Sequence, residues 1–339
     1  MKRRLLELLA SPCCRSAMEA DCAWDGDSAR MGHLLCKLCR QRYPIIDGIP
    51  RLFPPVELAP GVLATKESFA WEWLRHPGPR PEEDRAIFLE ETQIPAQDWK
   101  DKVVLDAGCG MGRYSLAARG LGAEVVAFDL SEAALRLGPA SDADPRLHVV
   151  MGDLNHPPFR RGVFDTVFSL GVLHHTADTR TAFNRVAELV RDRGLLTVWL
   201  YGKAGRLEDF RTNPLREDRR WVGRHRTLAW LLVALRHGLS DLLRLVTVRL
   251  PVRLLYPLCY PLALLGAVPF LKFLTYSVHP DFQVRLIEDF DWLSPVYQHH
   301  HTKEELAVWF SQTGFTVLKV LPHGLVPKPG MLARKTDAA

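Results

Sequence analysis

The feature that most constrains the fold is an alternation of short apolar runs with amphipathic stretches between residues 102 and 202. Between several runs the sequence has helical periodicity, as in Thr181–Val190. Strands that alternate with helices form a mainly parallel sheet covered on both faces. The sequence therefore predicts an α/β fold with a doubly wound sheet. The predicted strands are Val103–Leu105, Glu124–Phe128, Leu147–Met151, Phe164–Leu170 and Leu195–Leu200.

The regular pattern returns near the C-terminus after an irregular stretch. Thr302 and Glu305 have the spacing of a capping box, which predicts a helix that ends near Gln312. A strand is expected at Phe315–Leu321, and a last short strand at Met331–Arg334.

The charge of the chain is uneven. Hydrophobic residues make up 47% of the 339 residues, which is ordinary for a folded soluble protein, and the net charge is +5. Residues 203–275, however, hold 13 basic and five acidic residues. Such a balance suggests an anionic neighbour, namely a membrane surface, a phosphorylated acceptor or RNA. A solvated basic surface is the alternative.

The cysteines are concentrated at the N-terminus, where five of the seven lie within the first 39 residues. The opening MKRRLLELLA has an apolar run that is short and interrupted by Glu7, so we expect no signal peptide. We therefore expect a cytoplasmic protein, with metal binding favoured over disulfides.

The segment VVLDAGCGMGRYS, from Val103, predicts a buried strand followed by a glycine loop and a helix. A dinucleotide fingerprint would need a third glycine where Arg113 stands. The carboxylate of Asp106 would repel a pyrophosphate, but it suits the positive ammonium and sulfonium groups of S-adenosylmethionine. Glycines let the backbone approach such a ligand. They are Gly108, Gly110 and Gly112.

Two more acidic residues follow the next two predicted strands. Asp129 lies where a carboxylate can accept both ribose hydroxyls, and Asp153 lies where it can meet the adenine amino group. One such residue alone can be a helix cap. Carboxylates at three successive strand ends favour a cofactor site, because in an open α/β sheet the ligand binds at the carboxyl ends of the strands.

The motifs VLDAGCGMGR, AFDLS, GDLNHPPF and FDTVFSLGVLHHTADTRTAF together resemble those of class I S-adenosylmethionine-dependent methyltransferases, particularly the ubiquinone/menaquinone-biosynthesis type, methyltransferase type 11. The resemblance covers residues 102–202 and implies a Rossmann-like, seven-stranded sheet. It also implies that Asp106 and the three glycines line the methionine end, Asp129 the ribose, and Asp153 with Leu154 the adenine. The run Asn155–Phe159 is similar to a motif of nucleic-acid amino-methylating enzymes, but it follows the third strand rather than the fourth and is interpreted as a turn.

His174 and His175 follow the fourth predicted strand, on the side where the acceptor meets the cofactor. His175 is slightly favoured as a general base, although methyl transfer needs one only if the acceptor must lose a proton. Alternatively, one histidine caps backbone and the other is exposed. The histidines at 299–301 point in different directions on any regular backbone, so polar lining or a solvated turn is favoured over a metal cluster. Resemblance alone adds further acceptor-pocket candidates, namely Arg285, Asp289, Asp291 and Tyr297.

The N-terminal segment resembles the zinc-ribbon-like domain found as a free activator subunit of tRNA and protein methyltransferases, chiefly through the ending YPIIDGIP. A zinc site would want two C-x-x-C pairs, but Ser11 stands where the first pair should begin. The expected ligands are Cys14, Cys36 and Cys39, with Cys13, Cys22 or His33 as the fourth. The alternative is a small β-fold that has lost its metal.

The insertion before the C-terminal part is rich in leucine, valine and proline. In the stretch 226–246 the polar residues fall on one helical arc, and the rest of the surface is apolar. Prolines interrupt the uncharged run Leu254–Leu271, which argues against a membrane span. The insertion is predicted to be an interfacial segment or a lid over a lipid-like acceptor, or else an internally packed helical cap. The arc residues are Arg236, His237, Ser240, Asp241 and Arg244.

Four parts are therefore expected: a small zinc-ribbon-like module at 1–54, a cofactor-binding core at 66–202, a basic and apolar helical insertion at 203–280, and the rest of the core at 281–336. The predicted function is S-adenosylmethionine-dependent methyl transfer to a small or lipid-linked acceptor, with peripheral membrane contact and a protein partner of the N-terminal module as further expectations. The alternatives are an RNA methyltransferase, which the interleaving of basic with aliphatic rather than aromatic residues disfavours, and a non-catalytic cofactor-binding partner protein.

Overall fold

The computed structural model describes residues 1–75, 78–203, 223–268, 271–277, 279–321 and 328–337. The strands are β1 (Met18–Cys22), β2 (Gly32–Cys36), β3 (Arg42–Ile46), β4 (Ile49–Leu52), β5 (Val103–Ala107), β6 (Glu124–Asp129), β7 (Leu147–Gly152), β8 (Phe164–Leu170), β9 (Val190–Trp199), β10 (Phe315–Val320) and β11 (Gly330–Lys335). The helices are α1 (Arg3–Leu8), α2 (Pro60–Arg75), α3 (Pro81–Thr92), α4 (Arg113–Gly120), α5 (Gly138–Ala143), α6 (Thr179–Ala187), α7 (Arg226–Thr247), α8 (Val252–Leu258), α9 (Tyr260–Leu265), α10 (Phe282–Leu293) and α11 (Lys303–Gln312).

The strands form one sheet in the order β1-β2-β3-β4-β7-β6-β5-β8-β9-β11-β10. The seven strands from β7 to β10 are the predicted core, and within it β7, β6, β5, β8 and β9 are parallel. β11 runs antiparallel to both of its neighbours. The predicted doubly wound, mainly parallel fold of seven core strands is confirmed. The carboxyl ends of β5, β6, β7 and β8 therefore share one edge.

The central strands are buried on both faces. Every residue of β7 is buried, as are the four interior residues of β6. A continuous apolar run of this kind is typical of a parallel strand covered by helices on both sides. On one face, Phe88 of α3 packs between Trp99 and Phe168, with ring centroids 4.7 and 5.1 Å away.

The N-terminal segment extends this sheet. β4 pairs in parallel with β7 through Arg51 beside Met151 and Leu52 beside Gly152. Helix α1 also joins the main core, because Leu9 is fully buried in the cluster that contains Phe159. The segment ends close to the predicted boundary at residue 54, but its hydrophobic core is continuous with the core of the following domain.

Two predicted element boundaries were displaced. The helix expected at Thr181–Val190 is α6, which begins earlier because Asp178 caps it and accepts hydrogen bonds from the N–H groups of Arg180 and Thr181. Its expected end, Val190, instead begins β9, so this strand is longer than the predicted Leu195–Leu200. The predicted capping box is confirmed: Thr302 Oγ1 accepts from Glu305 N at 3.2 Å, and Glu305 Oε2 accepts from Thr302 N at 3.1 Å.

The insertion folds as α7, α8 and α9 within the described ranges, while residues 204–222 of the predicted segment lie outside them. Helices α8 and α9 pack with α10 in a third hydrophobic cluster that includes Cys259, Phe290 and Trp292. None of the helices in the described ranges combines the length and the hydropathy needed to cross a membrane.

Candidate active site at the carboxyl edge of the sheet

The glycine loop after β5 adopts backbone conformations that favour glycine. The φ angles are 94° at Gly108, 53° at Gly110 and 88° at Gly112. A Cβ at Gly108 would lie 2.3 Å from a methyl carbon of Val172, and one at Gly112 would lie 2.3 Å from a methyl carbon of Leu137. The loop therefore needs these glycines for its own packing as well as for access of a ligand.

Two of the three expected carboxylates lie directly at this loop. Asp106 is buried, and its Oδ2 accepts a hydrogen bond from Ser115 Oγ of α4 at 2.6 Å. Burial raises the pKa of Asp106 to about 7, although the Ser115 hydrogen bond acts in the opposite direction. A nearby cation would favour the ionised form, so this group suits an ammonium ligand.

Asp129, at the end of β6, fixes the loop. Its Oδ2 accepts from Gly110 N at 2.7 Å, and its Oδ1 accepts from the N–H and the hydroxyl of Ser131, both at 2.7 Å. Burial raises the pKa of Asp129, and these hydrogen bonds act against the rise. A carboxylate offers about four acceptor sites, so three donors leave room for roughly one more. A fork that accepts both ribose hydroxyls would require one of these contacts to be shared.

Asp153 follows β7 in a turn. Its Oδ1 accepts from Asn155 N at 2.9 Å and from Asn155 Nδ2 at 3.2 Å, and its Oδ2 lies 3.2 Å from His156 Nδ1. Leu154 beside it is buried. This geometry supports the interpretation of Asn155–Phe159 as a turn. Contact of Asp153 and Leu154 with an adenine stays a prediction.

Helix α2 covers the glycine loop. A Cβ at Gly110 would lie 3.4 Å from Trp73 Nε1, and the guanidinium carbon of Arg113 lies 5.6 Å from the centre of the Trp73 ring. The three carboxylates, the positive φ angles and this aromatic cover fit a small cationic ligand with ribose and adenine groups, and we find them compatible with S-adenosylmethionine. Its proposed contacts are with Asp106, Gly108, Gly110, Gly112, Asp129, Asp153 and Leu154.

His175 lies close to the loop, since its N–H donates to Val172 O at 2.9 Å and Val172 contacts Gly108. Its Nδ1 lies 2.9 Å from Tyr297 O. A carbonyl only accepts, so Nδ1 carries the proton and Nε2 of the neutral ring has the free lone pair. Burial lowers the pKa of His175 to about 3, so the ring is neutral at physiological pH. Among the described residues, Nε2 has no hydrogen-bond partner.

His174 is held differently. Its Nδ1 accepts from Tyr201 N at 3.3 Å, and its ring stacks on that of Tyr201 with centroids 3.9 Å apart. Burial, followed by repulsion from His175, lowers its pKa well below the usual value. Both histidines are buried, so the alternative in which one of them is exposed is wrong.

The histidines at 299–301 border the same region. His299 N donates to His174 O at 2.9 Å, His300 lies beside Trp292 with centroids 6.3 Å apart, and His301 Nδ1 lies 3.2 Å from Glu305 Oε2. Within the described residues they belong to no group of three or more potential metal ligands. They are half-buried and their Nε2 atoms are inaccessible to solvent, which favours polar lining over a solvated turn.

A buried polar cluster completes the acceptor side. Its centre is Tyr201, whose hydroxyl donates to Asp291 Oδ2 at 3.1 Å and whose ring stacks on Trp292 at 4.7 Å. Glu72 of α2 is 1% exposed. Burial and the nearby charge of Asp291 raise the pKa of its carboxyl group. Burial raises the pKa of Asp291 to about 7. Within the described chain, Glu72 Oε2 and Asp291 Oδ1 have no hydrogen-bond partners. The buried polar cluster comprises Glu72, His174, His175, Tyr201, Asp291, Trp292 and His300.

The other candidates from resemblance have structural contacts. Arg285 donates to the carbonyls of Ala263, His279 and Pro280, so it ties α10 to α9 rather than facing an acceptor. Asp289 accepts from Tyr276 N at 2.9 Å, and burial raises its pKa to about 7. Tyr297 contributes its carbonyl to His175.

The N-terminal cysteines form the expected group of three. The sulfur atoms of Cys14, Cys36 and Cys39 all lie within 4.8 Å of one another, and those of Cys14 and Cys36 are 3.4 Å apart. None of the proposed fourth ligands, Cys13, Cys22 and His33, belongs to this group among the described residues. The ring of His33 lies 3.3 Å from the guanidinium of Arg42. The hydroxyl of Ser11 pairs instead with Tyr43 Oη at 3.2 Å and accepts from Cys13 N at 3.4 Å. The three thiols are a donor set that suits zinc.

Comparison with known families agrees with this geometry. Residues 105–198 match the model of a methyltransferase domain. The chain carries a methyltransferase domain. Residues 2–48 match the model of a Trm112p-like protein. The resemblance of residues 102–202 to methyltransferases, and of the N-terminal segment to an activator-type domain, is thereby confirmed.

Similar curated proteins cover only part of this arrangement. The chain is 38% identical over 106 residues to a tRNA U34 carboxymethyltransferase of Tolumonas auensis. The aligned part covers 29% of this chain and 32% of that protein. The chain is 37% identical over 93 residues to a malonyl-[acyl-carrier protein] O-methyltransferase of Salmonella typhimurium, covering 27% and 36%. The chain thus spans about a third of the length of these relatives. Among solved structures, it is similar to the magnesium protoporphyrin IX methyltransferase of Synechocystis, with a TM-score of 0.46, 14% identity and coverage of 81% and 100%.

Sequence reasoning missed Glu72, Tyr201 and Trp292 as site residues. Tyr201 comes directly after a strand, two residues beyond Trp199, and this position is the signal that could have identified it. Glu72 lies in a helix among aromatic residues and belongs to no recognisable sequence motif. Only the packing of α2 against α10 brings it to Asp291.

Proposed function

We propose that the protein transfers a methyl group from S-adenosylmethionine to a small or lipid-linked acceptor held by the buried polar cluster. The observation that carries this proposal is Nε2 of the buried His175, which has no hydrogen-bond partner in the part of the chain that the structure describes. His175 N donates to Val172 O, and Val172 packs against Gly108 of the glycine loop. The tautomer that its Tyr297 contact selects leaves Nε2 as a hydrogen-bond acceptor for the proposed substrate.

When bound, S-adenosylmethionine supplies an activated methyl group, whose transfer leaves the bonding electron pair on sulfur. The chain's own residues position the acceptor for this displacement. His175 Nε2 would accept a hydrogen bond from an acceptor hydroxyl or amine. Burial lowers the pKa of His175 to about 3, so the ring is too weak a base to keep the acceptor's proton. Its main contribution is to orient the acceptor. The carboxyl groups of Asp291 and Glu72, in the same cluster, are the candidates to take that proton.

Burial favours a compact acceptor over a folded RNA. His174 is fully buried and Glu72 nearly so, so an RNA base would have to leave its stack and enter the cluster. The tRNA-directed relative and the basic insertion keep an RNA acceptor as the second candidate. RNA binding with a steep dependence on salt would favour it.

The deciding experiment is incubation of the purified full chain with methyl-labelled S-adenosylmethionine and a cell extract. Label that enters a small or organic-soluble product supports the proposal. Label in RNA supports the second candidate, and cofactor binding without any labelled product supports a non-catalytic role. The variant His175→Ala should lose most of the transfer while cofactor affinity stays the same. The matched control His279→Ala changes a histidine that contacts Glu83, away from the cluster, and should transfer normally.

We further propose that the Trm112p-like domain serves the methyltransferase domain of its own chain. The support is the parallel pairing of β4 with β7, which adds the small domain to the edge of the larger sheet. A separate protein partner would have to use another surface of this domain.

A further inference from the structure

Helix α7 has its polar and apolar faces reversed relative to the usual surface helix. A surface helix normally turns its apolar stripe toward the core and its charged residues toward water. In α7 the polar arc found in the sequence is turned inward, with the exception of Asp241, which is exposed. The leucines are therefore left on the outside.

The inward residues make specific contacts. Arg236 is 4% exposed and donates to Thr275 O at 3.1 Å. Trp292 Nε1 donates to Ser240 Oγ at 2.5 Å. Arg244 donates to the carbonyls of Trp292 and Pro295 at 2.9 and 2.7 Å. These contacts fix the rotation of α7 about its axis, so the outward position of the leucines is a consequence of the polar arc.

The outward residues form a stripe along the whole helix. They recur every three or four residues, and Leu235 and Leu242 are 54% and 63% exposed. A helix of 22 residues is about 33 Å long, so this stripe is much longer than an isolated surface leucine. Exposed apolar surface that is contiguous marks an interaction site. The leucine stripe comprises Leu228, Leu231, Leu235, Leu239, Leu242 and Val246.

The charges at the ends of the stripe indicate the chemistry of the partner. Arg224 lies just before α7, and Arg249 and Arg253 lie just after it, and all three are exposed. Asp241 is the one acidic residue between 223 and 268. If a second copy of the chain bound through the same face, the arginines of the two copies would come together and repel each other. Exposed leucines also continue along α8 and α9, at Leu254, Leu258, Leu264 and Leu265.

We propose that α7 binds the surface of an anionic lipid bilayer, with its leucine stripe in the interfacial region and the flanking arginines at the lipid headgroups. An interfacial helix has this composition, with aliphatic residues on the buried face and basic residues at the polar boundary. The inward face stays attached to the core, so α7 lies along the membrane surface while the domain remains outside it. The surface lies on α7, whose residues Arg236 and Ser240 contact elements that border the buried polar cluster. This proposal does not depend on the identity of the acceptor.

The test is co-sedimentation of the full chain with vesicles of phosphatidylglycerol and phosphatidylcholine, compared with phosphatidylcholine alone. We expect binding to the anionic vesicles that is lost at high salt. The triple variant Leu235→Ser, Leu239→Ser, Leu242→Ser should bind at least about tenfold more weakly, because three apolar side chains leave the interface. The variants Arg224→Gln and Arg249→Gln should each weaken binding about fivefold, since one basic residue near anionic lipid contributes about 1 kcal/mol.

A matched control replaces three exposed apolar residues elsewhere, Leu63→Ser, Val308→Ser and Leu318→Ser, and should bind like the wild type. Thermal unfolding of each variant establishes that the fold is intact. Absence of vesicle binding by the folded wild type would overturn the proposal. So would equal losses in the control, or a dimer in sedimentation velocity that the leucine variant dissociates.

Discussion

At the residue scale, the side chains of the site combine structural and binding roles. Asp129 holds the glycine loop through Gly110 N and keeps acceptor capacity for its proposed contact with the ribose. His175 uses one ring nitrogen to contact Tyr297, and the other has no partner among the residues that the structure describes. The sequence predicted which residues these are because their place at strand ends follows from the chain order. It could not predict how many of their acceptor sites the protein itself occupies.

Replacing Asp129 tests its two roles. Asp129→Ala should weaken S-adenosylmethionine binding by about 1.5–3 kcal/mol, the usual contribution of a hydrogen bond to a charged group. Asp129→Asn keeps an oxygen for Gly110 N and should lose less. Calorimetric titration of the two variants gives both values. Unchanged affinity in Asp129→Ala would remove this residue from the cofactor site.

Asp106 should make cofactor affinity depend on pH. Its pKa is raised to about 7, and a cationic ligand binds the ionised carboxylate. As the pH falls below 7, the carboxyl group takes up a proton, and affinity should fall by up to about tenfold per pH unit. Asp106→Asn cannot ionise and should show weak binding with little pH dependence. A wild-type affinity that is constant between pH 5 and pH 8 would contradict this assignment.

The cysteine group gives a third prediction. Protein purified without chelator should contain close to one equivalent of zinc, and the double variant Cys36→Ser, Cys39→Ser should contain none. Cys13→Ser lies outside the group and should retain the metal. Elemental analysis measures all three. A wild-type protein free of zinc would support the alternative of a small β-fold that has lost its metal.

At the scale of secondary-structure elements, the sequence predicted which residues share one face of a helix but not which face is turned toward the core. The arc of Arg236, His237, Ser240 and Arg244 is on one side of a helix, as its periodicity indicates. The periodicity left open whether this arc faces a membrane or the core, and in the structure Arg236 and Arg244 both donate to backbone carbonyls of the core. Periodicity shows which residues share a face, but it does not show which face is turned inward when the protein core has unpaired carbonyls to offer.

The buried arginine therefore affects stability. Arg236→Ala should lower the free energy of unfolding by about 1.5–3 kcal/mol, because Thr275 O loses a charged donor inside the protein. The matched variant Leu235→Ala changes a neighbouring exposed residue and should have an effect within about 0.5 kcal/mol. Urea denaturation measures both. Equal stability of the two variants would mean that the Arg236 contact contributes nothing.

At the scale of the whole molecule, the two domains share one sheet and one core. The fold class followed from the alternation of apolar runs, and the family motifs supplied the number of strands in the core. The pairing of β4 with β7 could not be predicted, because both strands are short and the linker after Leu52 suggests a separate unit. Phe159 and Leu9 lie in the same hydrophobic cluster although 150 residues separate them in the sequence.

A shared core predicts that the domains unfold together. Leu9→Ala should destabilise the whole chain by about 2–5 kcal/mol and keep a single unfolding transition, because the cavity forms between the two domains. Leu38→Ala, at a residue that is 70% exposed in the small domain, is the control and should change little. Differential scanning calorimetry resolves the transitions. A separate, earlier transition for residues 1–54 alone would show that the domains are energetically independent.

The parallel pairing of β4 with β7 also determines how the protein behaves on dilution. An edge strand that binds a separate subunit is occupied only in proportion to the concentration of that subunit. Here the strand that covers β7 is tethered to it by the chain, so its local concentration does not change when the protein is diluted. Activity per molecule should then remain constant down to very low protein concentrations. A free Trm112p-like protein could not pair with β7, because β4 of the same chain already occupies that edge.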